Sequence, residues 1–231
     1  MVEIAIVAEG PSEQQFIVNY LDPYLRQASG GKLFTKAIVV KTGIGADGKA
    51  CSGGGGWYSR ATAGYDSLIR RLLAEPQLQG VSTMIDYYGF PRDFIKEAGL
   101  VAPKCEDLEQ KLLECYTERE PPGKFLPFVV KHEFETLVIA AALHGSSTVF
   151  SSAEIRQMAG WRDSSGGVEE INDSPQTSPS KRIIQLKEHS KVRYRKVPDS
   201  TDVFDHAPFE AVLKECPRFA DWVAKLLSYA A

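Results

Sequence analysis

The stretch VEIAIVAEGPSEQQFIVNYLDPYLRQ, residues 2–27, decides the fold class of this 231-residue chain. Residues 2–8 are almost all apolar and rich in β-branched side chains, which predicts a strand buried on both faces. A Gly-Pro pair breaks the strand pattern, and Ser12 then lies three residues before Gln15, the spacing of a helix-capping box. Apolar side chains recur at helical spacing beyond it, so a helix is expected over residues 12–27. This order of strand, tight turn and helix is half of a β-α-β unit.

The same alternation continues along the chain. Further strands are predicted at residues 36–41, 81–86 and 125–131, and segments with helical spacing of apolar residues separate them. An apolar helix is predicted at residues 134–143, after the fourth strand. This pattern favours an α/β fold in which helices flank a parallel sheet.

The composition of the sequence changes beyond residue 145. Residues 163–180 are polar and rich in Gly, Pro and Ser, and we interpret them as an ordered loop before a helix. A second capping-box pattern begins at Ser151, and the chain closes with two short predicted helices divided near Pro217. We therefore expect a core over residues 1–145. Residues 146–231 are expected to form a helical C-terminal extension packed on that core as one compact unit.

Composition excludes several classes of protein. Charged residues make up 25% and apolar residues 43% of the chain, as in an average globular domain. The four cysteines form no C-x-x-C pair, which argues against a disulfide scaffold or a structural zinc site and favours a cytoplasmic setting. The longest apolar run, residues 137–143, is far shorter than the roughly 18 residues of a membrane span. The first residues also lack the basic region of a signal peptide, so no membrane partner is expected.

Charge is distributed unevenly. Residues 181–196 contain seven Lys or Arg and one Glu, a local charge of +6, and since the whole chain carries −3 the remainder carries −9. A strip of positive charge of this kind could contact a polyanion. The alternative is that these residues form the solvated face of a helix. Two of its cations lie in the first turn of a predicted helix, where a bound phosphate would offset their unfavourable position. The residues proposed to contact phosphate or nucleic acid are Lys181, Arg182, Lys191, Arg193 and Arg195.

Carboxylates follow three of the predicted strands. Glu9, Asp86, Glu133 and Glu135 all come directly after, or at the end of, a strand. Ligands of parallel α/β sheets bind at this edge, and Mg²⁺ and Mn²⁺ prefer carboxylate oxygens. The four residues therefore predict a Mg²⁺ or Mn²⁺ site. The alternative is that each is an ordinary surface or turn residue.

Three smaller features stay open at this point. His132 suits a metal ligand, a proton shuttle or a structural residue at a strand end. Asn172 and Asp173 suit either an Asx turn or a part of the site. The glycines at 53–56 lack the G-K-[ST] ending of a phosphate-binding loop, but as a flexible loop followed by Trp57 and Tyr58 they would suit either stacking on a base or a lid.

Two motifs resemble those of Toprim domains. The stretch VAEGPSEQQF at 7–16 resembles the first Toprim motif, in which a hydrophobic strand is followed by a Glu-Gly pair, here ending at Gly10. The stretch MIDYYG at 84–89 resembles the second motif, D-x-D-x-x-G, in part. Asp86 matches its first Asp, whereas Tyr88 stands in place of the second.

Longer strings are similar to the Toprim-like family DUF4276, and this resemblance spans nearly the whole chain. Together with the opening motif, these strings are STMIDYYGFP at 82–91, KHEFETL at 131–137, EINDSPQTSPSKRI at 170–183 and CPRFADWVAKL at 216–226. Toprim domains occur in topoisomerases, primases and OLD-family nucleases. The resemblance therefore implies a Toprim-like parallel sheet and metal-dependent phosphodiester chemistry.

The resemblance also implies roles for individual residues. Glu9 would transfer protons or lie next to the metal, Asp86 would bind the metal, and Glu13 would supply a further carboxylate. Because Tyr88 replaces the second Asp, we hypothesise that Glu133 and Glu135 take over its part. Gly10, Tyr88, His132, Asn172 and Asp173 are expected to support the site.

The function expected from the sequence is a Mg²⁺- or Mn²⁺-dependent nuclease that hydrolyses RNA, including tRNA, or DNA. Some members of the resembled family act as nuclease effectors of phage defence with an ATPase, so nucleic acid and an ATPase are the expected partners. A homodimer stays open. One alternative is a catalytically degenerate adaptor that partners the ATPase. The other is phosphotransfer or phosphohydrolysis on a small nucleotide.

Overall fold

The computed structural model describes residues 1–44, 50–52, 56–58, 64–117, 123–172 and 174–231, with only the backbone at 41–44 and 50–52. The chain forms two compact units, Met1–Val130 with Lys225–Ala231, and Lys131–Ala224. The first unit thus ends before the predicted boundary at residue 145. The reason is that the apolar helix Glu135–Ala142 is buried along its whole length against helices of the second unit.

The strands all lie in the first unit as far as the structure describes the chain. They are β1 (Val2–Ala8), β2 (Leu33–Val39), β3 (Lys41–Ile44), β4 (Ala50–Ser52), β5 (Gly80–Asp86), β6 (Phe125–Leu126) and β7 (Val129–Val130). The main sheet has the order β2-β1-β5-β6, and β7 also pairs with β5. Every pair in this sheet is parallel, which confirms the predicted α/β class, whereas β3 and β4 form a separate antiparallel pair.

Helices follow the strands and fill the second unit. Those of the first unit are α1 (Pro11–Phe16), α2 (Asp22–Ala28), α3 (Tyr65–Leu73), α4 (Arg92–Glu97) and α5 (Cys105–Thr117). Those that follow are α6 (Glu135–Ala142), α7 (Ser152–Ser165), α8 (Pro179–His189), α9 (Lys196–Asp205), α10 (Phe209–Glu215) and α11 (Pro217–Ser228). In the described part of the chain, no helix combines the length and the apolar character that crossing a membrane requires.

The helix after β1 begins differently from the prediction. Its N-cap is Gly10, Pro11 is its first residue, and Ser12 is buried inside its first turn, so the capping box predicted at Ser12 is wrong. Proline suits this first position because its missing N–H would have no helical partner there. The helical segment then continues to Ala28 through a π-helical turn at Ile17–Leu21.

The second predicted capping box is confirmed. The Ser151 hydroxyl accepts a hydrogen bond from the Glu154 N–H (3.3 Å), and the Glu154 carboxylate accepts one from the Ser151 N–H (2.7 Å). Helix α7 ends at Gly166, whose φ of 83° is the left-handed conformation that glycine adopts without strain.

Two predicted strands have different bounds in the structure. The strand predicted at 125–131 is divided into β6 and β7 around Pro127, which has no N–H to give to the sheet. The strand predicted at 36–41 begins earlier, at Leu33. Helices α4 and α9 were not predicted, because neither carries an apolar stripe as regular as that of α3.

An aromatic cluster lies in the core of the first unit. Trp57 is fully buried and its ring stacks on Tyr65, with 5.2 Å between the ring centroids. Its indole N–H donates to the Tyr116 hydroxyl (2.9 Å), and its backbone N–H donates to Asp93 (2.9 Å). The interpretation that Trp57 stacks on a base is therefore wrong, whereas Tyr58 is exposed. The glycines at 53–55 lie outside the described residues.

The last residues of the chain belong to the sheet unit. The Tyr229 ring packs against Gly80 at the start of β5, where an added Cβ would lie 2.8 Å from a ring carbon. The Tyr229 hydroxyl also donates to the Gly123 carbonyl. Glycine at position 80 therefore leaves the space that this ring occupies.

Candidate functional site: a carboxylate cluster at the sheet edge

Glu9 and Asp86 meet at the carboxyl edge of the parallel sheet. Glu9 directly follows β1, and Asp86 is the last residue of the neighbouring strand β5. The backbone N–H of Asp86 donates to Glu9 Oε2 across a distance of 3.2 Å. Parallel pairing of β1 with β5 thus brings the Glu9 carboxylate to the backbone of Asp86, as expected from the strand ends.

Gly89 makes room for the Glu9 carboxylate. It lies in the turn after β5, and a Cβ added to it would lie 2.5 Å and 2.6 Å from the two carboxylate oxygens of Glu9. The Tyr87 N–H, which donates to the Val130 carbonyl (3.0 Å), ties this turn to the end of β7. Any residue other than glycine at this position would therefore force the Glu9 carboxylate to move. Sequence analysis assigned no role to this glycine.

Glu13 reaches the same region from helix α1. It lies in the first turn of the helix, is almost fully buried, and contacts the backbone of Gly10 so closely that a Cβ there would lie 3.1 Å from Glu13 Oε2. A carboxylate near a helix N-terminus is favoured by the helix dipole. Gly10, which has no side chain, thus leaves the space that the Glu13 carboxylate occupies.

Tyr65 completes the cluster and was missed by sequence analysis. It is the first residue of α3, it is 1% exposed, and its hydroxyl has no hydrogen-bond partner among the described residues. Burial raises the pKa of Tyr65 well above its ordinary value, and the charges of Glu9, Asp86 and Glu13 raise it further. The hydroxyl therefore stays protonated and is able to donate a hydrogen bond.

Tyr88 occupies the position where the Toprim pattern has its second Asp. The side chain is half-buried, and its ring lies edge-on to that of Tyr87, with 5.4 Å between the centroids. The Tyr87 hydroxyl donates to the Pro103 carbonyl (2.7 Å), which fixes that ring. Position 88 thus provides an aromatic surface beside the cluster in place of a carboxylate.

The oxygen donors of this cluster fit Mg²⁺ or Mn²⁺ in an open site. In the described part of the chain, no three His, Cys, Asp or Glu side chains are arranged to hold a metal ion. Mg²⁺, however, is commonly held by one or two carboxylates while water and substrate phosphates fill its other positions. Glu9 and Asp86 meet that requirement, whereas a closed metal site built from protein side chains is not what this geometry provides.

Glu133 lies in the second unit and caps a helix there. Its Oε2 accepts a hydrogen bond from the Ser180 N–H (2.9 Å) in the first turn of α8. This first turn is where the sequence predicted a phosphate beside Lys181 and Arg182. The anion at Ser180 is therefore a carboxylate of the chain itself, and it offsets the misplaced cations in the way that a phosphate would.

The two cations of this turn differ in their surroundings. Lys181 is exposed. The Arg182 Nε donates to the Thr177 carbonyl (2.9 Å), and the guanidinium lies over the Trp161 ring, 5.6 Å from its centroid. Arg182 thus stabilises the start of α8.

Glu135 is buried beside cations. It is 1% exposed, and its Oε2 lies 3.5 Å from Lys196 Nζ. Arg195 pairs with the neighbouring buried carboxylate of Asp199 at 2.7 Å. Burial raises the pKa of Tyr194 far above its ordinary value, and the charges of Glu135 and Asp199 raise it further. A second cluster of acids and a tyrosine thus exists in the second unit.

His132 and Asn172 support a turn. His132 has a φ of 67°, and the Glu133 N–H donates across it to the Lys131 carbonyl (3.0 Å), a strained γ-turn. Burial and then Lys131 lower the pKa of His132, whose Nδ1 lies 3.2 Å from the Asn172 amide nitrogen. Asn172 Oδ1 accepts from the Ser174 N–H (3.0 Å), the Asx turn that the sequence allowed. Asp173 lies outside the described residues.

The remaining basic residues lie after α8. Lys191 and Arg193 are exposed, and Arg193 and Arg195 line a cleft of about 530 Å³ together with the buried Lys187. Apolar groups of the same cleft include Val149 and Val192, and acidic groups include Asp199 and Asp202. Cations and carboxylates therefore share the cleft, and Arg195 is paired with Asp199 and Lys187 with Glu154.

Comparison with known sequences identifies the family. The sequence model of the domain of unknown function DUF4276 matches residues 8–227, which include the carboxylate cluster and most of both units. Comparison with curated proteins gave no match, and comparison with solved structures gave none either. Because the match covers nearly the whole chain, the chain belongs to the DUF4276 family.

Proposed function

We propose that the cluster of Glu9, Glu13 and Asp86 is the active site of a Mg²⁺- or Mn²⁺-dependent nuclease that hydrolyses phosphodiester bonds in RNA or DNA. The observation that carries this proposal is the approach of Glu9 to Asp86 at the carboxyl edge of the sheet, with a glycine making the room. Ligands bind at this edge in parallel α/β folds. The partial Toprim-like motifs in the same two loops support it.

The chemistry assigns a task to each side chain. When bound, a divalent cation would neutralise charge on the scissile phosphate and assist the activation of water. Glu9 and Asp86 would hold it. Glu9 is also placed to accept the proton of the attacking water, and general-base catalysis of this kind contributes about 10²–10⁴-fold to a rate. Glu13, nearly buried in the first turn of α1, would supply a further carboxylate to the site.

The distribution of charge supports a polyanionic substrate. With a net charge of −3, the chain as a whole does not attract nucleic acid. The cations on and near the cleft of the second unit, Lys191, Arg193 and Arg195, would supply the contacts to a phosphate backbone. The resemblance supports RNA, including tRNA, as substrate, an ATPase as partner and a cytoplasmic role in phage defence. A homodimer remains open.

A second candidate function is an adaptor that partners the ATPase without catalysis. The observation that favours it is Tyr88, which puts an aromatic ring where the Toprim pattern has a metal-binding carboxylate. An adaptor would not need a cation at Glu9 and Asp86. Metal-dependent cleavage therefore separates the two functions.

The experiment compares the wild type with Glu9→Gln and with the matched control Glu106→Gln, an exposed acid on α5. Each protein is incubated with total tRNA, single-stranded RNA and duplex DNA in Mg²⁺, Mn²⁺ or EDTA. We expect the wild type and the control to cleave one polymer in a metal-dependent manner, and Glu9→Gln to lose cleavage while it keeps the circular dichroism of the wild type. Cleavage that survives in Glu9→Gln, or in EDTA, would contradict the proposal.

A further inference from the structure

The Tyr65 hydroxyl is a buried donor that the proposed mechanism has not used. The residue is 1% exposed, and its hydroxyl has no hydrogen-bond partner among the described residues. Leaving such a group without a partner in a protein interior is unfavourable. A ligand whose oxygen accepts a hydrogen bond from the Tyr65 hydroxyl would remove this unfavourable state.

A neighbouring tyrosine shows the usual arrangement. Tyr116 is also buried against Trp57, but its hydroxyl accepts from the Trp57 indole N–H (2.9 Å) and donates to Asp66 (2.7 Å). The same core therefore pairs one tyrosine hydroxyl twice and leaves the other without a partner among the described residues. The difference indicates that the position of Tyr65 has a reason other than packing.

The surroundings of the hydroxyl define what it would bind. The charges of Glu9, Asp86 and Glu13 act on the hydroxyl, and it donates a hydrogen bond to none of them. Trp57, which stacks on Tyr65, also stacks on Phe90, the residue after Gly89, with 5.4 Å between the ring centroids. A divalent cation held at Glu9 and Asp86 would carry phosphate oxygens among its ligands, and a phosphate oxygen is an acceptor for this hydroxyl.

We propose that Tyr65 donates its hydroxyl hydrogen to a phosphate oxygen of the ligand held at Glu9 and Asp86, and so positions a phosphate ester in the site. This inference rests on the proposed function and names the group that the substrate presents there. The ring is held for this task by its stacking on the buried Trp57. No proton leaves Tyr65, which acts as a positioning residue.

The test compares Tyr65→Phe with the matched control Tyr116→Phe. Calorimetry measures the binding of Mn²⁺ alone, and then of inorganic phosphate and adenosine monophosphate at saturating Mn²⁺. Thermal unfolding is recorded without added metal. For Tyr65→Phe we expect an unchanged or higher Tm, Mn²⁺ affinity equal to that of the wild type, and about tenfold weaker phosphate binding. For Tyr116→Phe we expect a lower Tm and unchanged binding.

The outcomes separate this inference from the proposed function. A Tm lowered in Tyr65→Phe as much as in Tyr116→Phe would show a paired structural hydroxyl and overturn the inference. Equal phosphate binding by Tyr65→Phe and the wild type, or no phosphate binding by the wild type in Mn²⁺, would overturn it as well. Phosphate binding that depends on Tyr65, in a wild type that cleaves no polymer, would support the inference and overturn the nuclease.

Discussion

The two units each bury a tyrosine hydroxyl among carboxylates, but they surround the carboxylates differently. In the first unit, Glu9 accepts a backbone N–H and lies over a glycine, and the Tyr65 hydroxyl has no hydrogen-bond partner among the described residues. In the second unit, Lys196 lies against the buried Glu135. The first cluster thus offers a donor to a ligand, whereas the buried acid of the second is paired with a lysine of the chain itself.

The largest expected difference between the clusters is in metal binding. Asp86→Asn removes one of the two carboxylates that meet at the sheet edge, and we expect it to weaken Mn²⁺ binding by at least about tenfold and cleavage by about a hundredfold or more. The double substitution Glu133→Gln with Glu135→Gln removes carboxylates already used by Ser180 and Lys196, so Mn²⁺ affinity is expected to change less than about twofold. Calorimetric titration measures both.

A tenfold loss of Mn²⁺ affinity in the double variant would place Glu133 and Glu135 in the metal site, as hypothesised from the sequence. If Asp86→Asn bound Mn²⁺ as tightly as the wild type, the two clusters would not differ in metal binding.

Gly89→Ala tests whether space for Glu9 defines the first cluster. The new Cβ would lie 2.5 Å from a Glu9 oxygen, so the carboxylate must move. We expect cleavage to fall by about 10–100-fold, with a loss of stability of about 1–3 kcal/mol. Gly160→Ala is the matched control, because a Cβ there meets no atom within 4 Å. Wild-type activity in Gly89→Ala would show that the position of Glu9 is not critical.

Lys196→Met tests the second cluster. The change leaves Glu135 buried without the ammonium that lies 3.5 Å away. Because Lys196 is itself half-exposed, we expect a loss of only about 1 kcal/mol in unfolding free energy, measured by urea denaturation. The double variant Lys196→Met with Glu135→Gln should recover most of this loss. A variant as stable as the wild type would show that the ion pair does not neutralise Glu135.

The smallest effect is the pH dependence of Glu154, another buried acid of the second unit. Burial opposes ionisation, but hydrogen bonds from Ser151 and Ser190, together with Lys187, lower the pKa of Glu154 below its ordinary 4.5. The folded state then binds fewer protons than the unfolded state, so this contribution to stability is present above about pH 4.5 and lost as the pH falls through the folded-state pKa.

Glu154→Gln should therefore be less stable than the wild type at neutral pH, and the difference should shrink in acid. Thermal unfolding over a pH series measures it, with the exposed Glu188→Gln as the control. A difference that stays constant with pH would contradict the lowered pKa.

The parts of the fold that depend on local patterns were predictable. The apolar run of β1 and the turn after it follow from residue type, and Glu9 and Asp86 followed from the rule that ligands bind at strand ends. The end of the first unit was not predictable in this way. The apolar residues of α6 reveal that the helix is buried, but not against which neighbours.

The candidate site was only partly predictable for a related reason. An aromatic residue at an apolar helix position, such as Tyr65, is predicted to be part of the core. Only the three-dimensional packing reveals that its hydroxyl has no partner among the described residues and is subject to the charge of three carboxylates. Trp57 was misread because it follows glycines, although its ring is fully buried. Glu133 and Glu135 looked alike in sequence, yet one caps a helix and the other pairs with a lysine.

The contact of Tyr229 with Gly80 links a distant stretch of sequence to the strand that carries Asp86. Lys225–Ala231 belong to the same compact unit as β5, and the Tyr229 ring fills the space that Gly80 leaves at the start of that strand. A substitution at Tyr229 would therefore loosen the packing of β5 although it lies more than 140 residues from Asp86 in sequence.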